Sequence, residues 1–116
     1  MARPAPSIFL KRGSTFSLGG YVTIPSGEWT ATSEIKDNKG NLIQELTVTL
    51  ESPVSPNIKW AILLYADAAD TALWPLGPLS CDIRFESGSN VIYSPTFIVN
   101  MVLEITDPQP TLVLSL

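Results

Sequence analysis

Histidine is absent from this 116-residue chain. That removes the commonest general base, the commonest metal ligand and every serine or cysteine triad that depends on imidazole. Cysteine occurs once, at Cys81, so no internal disulfide is available and, with no histidine, a structural or catalytic zinc site is close to excluded. Basic residues are few, seven Lys and Arg against eleven Asp and Glu for a formal net charge of −4. Phosphate binding needs clustered cations, so nucleic acid is not an expected partner. Gly19-Gly20 and Gly77 lack the flanking Gly and Lys that make a phosphate cradle. Long apolar runs are missing too. The most apolar stretch, residues 60–69, carries Asp67 and falls well short of the roughly 20 residues that cross a bilayer. The opening Met-Ala-Arg-Pro-Ala-Pro-Ser has no secretory apolar core behind it. The expectation is a soluble, non-enzymatic protein with no cofactor, no metal and no membrane partner.

Apolar residues make up 45% of the chain and charged ones 16%, enough to bury one core. A single domain over 1–116 is expected, with short arms at 1–12 and 107–116. A period of two dominates, the mark of strands with one face buried. In residues 15–24, Phe16, Leu18, Val22 and Ile24 share a face, with Gly19-Gly20 expected as a bulge or bend. Trp29, Ala31, Ser33 and Ile35 alternate with Thr30, Thr32, Glu34 and Lys36. The turn residues Asp37-Asn38-Lys39-Gly40-Asn41 then lead into Leu42, Leu46, Val48 and Leu50, which predicts a hairpin.

Pro53 and Pro56 mark a loop. The run 58–65 is apolar on much of both faces, which predicts a central strand. Residues 66–74, Ala-Asp-Ala-Ala-Asp-Thr-Ala-Leu-Trp, suit one turn of helix closed by Pro75, Gly77 and Pro78. Leu79, Cys81, Ile83 and Phe85 form another alternating run. Ser87-Gly88-Ser89-Asn90 turns it into Val91, Ile92 and Tyr93, and Phe97 to Ile105 continues beyond Pro95. These elements predict an all-β, immunoglobulin-like β-sandwich of about seven antiparallel strands with one short helical connector.

Candidate chemistry is sparse. Asp67, Asp70, Asp82 and Glu86 are the carboxylates that a glycosidase pair would draw on, but acids in a connector or on a wet strand face are usually solvated. Residues 37–41 resemble a calcium loop except that Lys39 supplies a cation where an oxygen is needed. Trp29, Trp60 and Trp74 are the residues a carbohydrate-binding module would stack on sugars. Trp29 and Trp60 fall in phase with apolar faces, which leaves Trp74 as the candidate. The apolar arms, with Ile8, Phe9 and Leu10 at one end and Leu112, Leu114 and Leu116 at the other, suit either ordinary terminal strands or strands that pair with a neighbouring chain's open edge. Partner docking is therefore expected at Ile8, Phe9, Leu10, Trp74, Leu112, Leu114 and Leu116.

The succession Gly13-Ser14-Thr15-Phe16, Trp29-Thr30-Ala31-Thr32-Ser33-Glu34-Ile35-Lys36-Asp37, Ala69-Asp70-Thr71-Ala72-Leu73-Trp74-Pro75-Leu76-Gly77, Cys81-Asp82-Ile83 and Tyr93-Ser94-Pro95-Thr96-Phe97 resembles small immunoglobulin-like structural proteins of tailed bacteriophages and prophages. It is also similar to the N-terminal immunoglobulin-like domain of phage upper baseplate proteins. The likeness spans residues 13–106 and consists of strand and turn patterns. It implies a virion component made in the host bacterial cytoplasm, with tail, baseplate or major capsid proteins as partners and a homo-oligomer within the particle. Tail or baseplate docking is the leading expectation. Capsid decoration is the alternative within that class, and a sugar-binding adhesion module the alternative outside it.

Overall fold

In the computed structural model, which describes residues 6–54, 56 and 58–104, the period-two runs become strands that bury one face each. They are β1 (Ser7–Lys11), β2 (Phe16–Val22), β3 (Thr30–Lys36), β4 (Leu42–Glu45), β5 (Thr47–Glu51), β6 (Trp60–Ala66), β7 (Gly77–Ser87), β8 (Asn90–Tyr93) and β9 (Phe97–Val102), with one helical turn α1 (Ala68–Thr71) between β6 and β7. One sheet runs β1-β9-β7-β3-β4 with β8 also on β7, and the other runs β2-β6-β5. The chain is thus an all-β sandwich of two sheets.

The core lies between the sheets. Trp60, Ile62, Leu64 and Ala66 of β6 are buried against Leu79, Cys81, Ile83 and Phe85 of β7, with Phe16, Ile35, Val99 and Met101 closing the layer. As expected from its apolar pattern, β6 is central in its sheet. The 37–41 hairpin turn forms. Asp37 Oδ1 accepts from Lys39 N at 2.8 Å and from Asn41 N at 2.9 Å, and Gly40 takes φ 83°, a conformation that glycine adopts without strain.

Three departures stand out, the first two with local causes. Nine strands are described rather than about seven, because two runs break. The run 42–51 changes sheets at Leu46, whose N–H donates to Ser33 O at 2.9 Å, so that β4 pairs with β3 and β5 with β6. The run 90–102 breaks at Pro95. Pairing passes from Arg84↔Tyr93 to Cys81↔Phe97, so Asp82 and Ile83 face three residues, 94–96. There Ser94 N donates to Ile83 O and Ile83 N donates to Ser94 Oγ, both at 2.9 Å. The serine hydroxyl takes the place of a ladder carbonyl at the bulge. The second departure is at Gly19-Gly20, where no bulge forms. Pairing with β6 is unbroken from Phe16↔Ala66 to Val22↔Trp60, since both glycines keep ordinary extended backbone. The third is β1, which pairs with β9 in parallel; the expectation had been antiparallel strands throughout.

Leu64 tests the core. Leu64→Ala in the central β6 is expected to cost about 2–5 kcal/mol, by transfer plus cavity, read as a lowered urea midpoint with unchanged slope.

Candidate docking surface

Four of the seven side chains singled out for docking fall among the described residues. Ile8 and Leu10 point inward from β1 and are half-buried against the core, whereas Phe9 between them stands 76% exposed. Alternation on an edge strand does this: its inward positions join the core and its outward ones meet solvent. Leu112, Leu114 and Leu116 lie outside the described residues.

Trp74 requires correction. Its ring is only 2% exposed and sits 5.8 Å from that of Phe16, tilted by 54°. Its Nε1 donates to Gln44 Oε1 at 2.8 Å, and Gln44 Nε2 donates in turn to Asp70 Oδ2 at 3.0 Å. An indole whose face is packed and whose N–H is committed offers nothing to a partner or a sugar. The sequence reading failed because Trp74 follows a helical turn, where strand periodicity says nothing about direction. Trp60 is interior as well, and Trp29 packs on the core with Nε1 donating to Pro25 O at 2.8 Å.

The acidic residues of the connector serve structure. Asp67 caps α1, accepting from Asp70 N at 2.9 Å, a usual role for aspartate at that position. Buried Thr71 donates from Oγ1 to Ser14 O at 2.6 Å, which ties the connector to the turn between β1 and β2. On the outer face of the larger sheet, Asp82 lies opposite Glu34, while Arg84 pairs with Glu86 and donates to Tyr93 Oη. This face has a depression of about 260 Å³ lined by Thr32, Glu34, Asp82 and Tyr93, among others. Among the described residues, no group of three His, Cys, Asp or Glu is placed to hold a metal ion. Cys81 is buried beside Ser33 Oγ, 3.1 Å away, and burial pushes its thiol up to about 11, so it stays protonated at neutral pH.

Two further surface features of the described residues bear on docking. The first is the edge of β1 with Phe9 on it. At its far end Arg12 grips Glu104 through two bonds, Nε to Oε2 at 3.2 Å and a terminal nitrogen to Oε1 at 3.1 Å. The second, missed in the sequence, is the outer face of the smaller sheet, where Tyr21, Leu63 and Tyr65 are exposed. Its signal was the two-faced apolarity of residues 58–65, read only as centrality. β6 is central, but nothing among the described residues covers its second face. No family model matches the chain, and no curated protein matches it.

Two measurements check this account. Trp74→Phe keeps an aromatic ring in the core but loses part of the indole's volume and leaves Gln44 Oε1 without its donor. A loss of about 1–3 kcal/mol is expected from the lost hydrogen bond and packing together, read by chemical denaturation. Acid titration checks the turn and the Arg12 clamp. Hydrogen bonds from Asn41 hold the Asp37 carboxyl below its ordinary value, and the bond from Arg12 does the same for Glu104. A depressed folded-state pKa stabilises the fold above the unfolded value and ceases to do so as pH falls through the folded one. The Asp37→Ala, Glu104→Gln double variant should therefore lose less stability than the parent between about pH 5 and pH 3.

Proposed function

We propose that the chain is a non-enzymatic structural component of a tailed-phage particle, a docking or adaptor domain at the tail or baseplate. The fold belongs with the immunoglobulin-like sandwiches in this reading. Joining the segments that break at Leu46 and Pro95 leaves seven runs, 7–11, 16–22, 30–36, 42–51, 60–66, 77–87 and 90–102. The second and fifth runs share a sheet with the latter part of the fourth, and the third, sixth and seventh share the other. That division matches the one in which strands B, E and D face strands C, F and G. It supports the resemblance carried by the strand and turn segments of residues 13–106.

The observation that carries the docking role is β1. An edge strand with an exposed aromatic side chain is a template for another chain. The carboxylates of the connector are occupied in capping and bridging, which favours a binding role over catalysis.

Particles of the phage or prophage that encodes the chain provide the test. They are separated into tails and capsids, and each fraction is probed with an antibody to the chain. The chain is expected with tails, and Phe9→Asp should lower its incorporation at least about tenfold, the equivalent of losing one buried aromatic contact. Recovery with capsids makes it a decoration protein instead. Absence from both fractions overturns the virion reading.

A further inference from the structure

The outer faces of the two sheets are built from different residues. On the larger sheet, Glu34, Lys36, Asp82, Arg84 and Glu86 make the charged surface usual for a solvated strand face. The three ion pairs among the described residues all belong to that sheet or to the ends of its strands. The smaller sheet is unlike it. Alternation turns Trp60, Ile62, Leu64 and Ala66 of β6 inward and leaves Ala61, Leu63 and Tyr65 outward. Register then sets Tyr65 between the hydroxyls of Ser17 and Thr47, and Leu63 between Gly19 and Thr49. Ala61 comes between Tyr21 and Glu51, which carries the one charge on these three rows.

The rows form a low platform with an aromatic ring toward each end. Tyr21 is 73% exposed and Tyr65 39%. Their positions lie four residues apart along the sheet and one strand across, about 14 Å between Cα atoms. Between them Gly19 raises no side chain, and a Cβ there would come no closer than 3.8 Å to Leu63 Cδ1 or Ile62 O. Beside Tyr21 opens a cavity of about 430 Å³ walled by Pro56, Ile58 and Lys59.

Size and charge together select the occupant. Three strands of five to seven residues make a face about 15 by 20 Å, or about 300 Å² in plan. A stable protein interface takes about 800 Å² from each partner, so a second copy of the chain is too large a ligand for it. A face with so little charge has no complement for a polyanion or a polycation. What matches is small, extended and uncharged, with apolar and hydrogen-bonding parts in alternation. A linear sugar chain has both, since each ring offers a C–H face to an aromatic side chain and hydroxyls at its rim to polar ones.

We propose that the outer face of the smaller sheet binds a neutral linear oligosaccharide, with Tyr21 and Tyr65 stacked on two of its sugar rings. Ser17, Thr47, Thr49 and Glu51 bond to the sugar hydroxyls, and the terminal ring enters the cavity beside Tyr21. The site is separate from the β1 edge and adds a second binding activity to the docking reading.

The test titrates the full chain with hexose and N-acetylhexosamine chains from di- to hexasaccharide, with uronic-acid and sulfated chains as charged comparisons, and follows amide shifts by NMR. Neutral chains longer than a disaccharide are expected to move the amides of β2, β5 and β6 and to leave those of β9 in place. Tyr21→Ala and Tyr65→Ala should each weaken binding about tenfold or more, and Gly19→Gln, which fills the gap between the rings, should do the same. All three positions are exposed, so these variants should keep the parent's urea midpoint. Tyr93→Ala removes an exposed tyrosine of the other sheet and should bind as the parent does, as should Phe9→Asp. Failure of every neutral chain to bind at millimolar concentration overturns the proposal, as does binding of charged chains alone or an equal loss in Tyr93→Ala. Association of the chain with itself that Tyr21→Ala abolishes also overturns it, by making a second copy the occupant. Because Phe9→Asp tests the β1 edge and Tyr21→Ala this face, either reading can fail while the other stands.

Discussion

The hydrogen-bonded chain from Trp74 through Gln44 to Asp70 is the constraint on which the two-sheet arrangement turns. It lies where the polypeptide crosses from β6 in one sheet to β7 in the other. The crossing must bury a large aromatic ring and keep a polar group on each side of it satisfied. Gln44 meets both needs, accepting from the indole and donating to the carboxylate. Thr71 adds a link to the turn after β1, so one helical turn is tied both to β4 and to the β1–β2 turn. No buried side-chain nitrogen or oxygen among the described residues is left without a partner.

Much of this was legible in the sequence, since a period of two survives whatever the partners of a strand turn out to be. The inward sets Phe16, Leu18, Val22 and Leu79, Cys81, Ile83, Phe85 follow from alternation alone. Partnership was less legible. Nothing in Leu42 to Leu50 announces that Leu46 is a corner, because the apolar phase continues through it while the hydrogen bonds change sheets. The parallel pairing of β1 with β9 joins residues some ninety positions apart, and local pattern carries no information about such contacts.

The candidate site divides in the same way. The sequence reading took Ile8, Phe9 and Leu10 alike for docking, whereas alternation along β1 turns Ile8 and Leu10 to the core and leaves only Phe9 outward. Trp74 was not readable, because direction after a helical turn depends on three-dimensional closure. Tyr21, Leu63 and Tyr65 escaped notice for another reason: a strand apolar on both faces is ambiguous between deep burial and an uncovered apolar face. Only the number of layers resolves it.

The parallel alignment of β1 and β9 has a mechanical side. Tension applied at Ser7 and Val102 pulls the two strands lengthwise past each other, because the chain enters at the start of one and leaves at the end of the other. Load is then shared across the whole ladder at once, rather than concentrated on the last bond of a hairpin that peels. The Arg12–Glu104 clamp stands at the exit of that ladder. Stretched between those two points, the domain would yield by shear of five paired positions at once and not by unzipping one at a time.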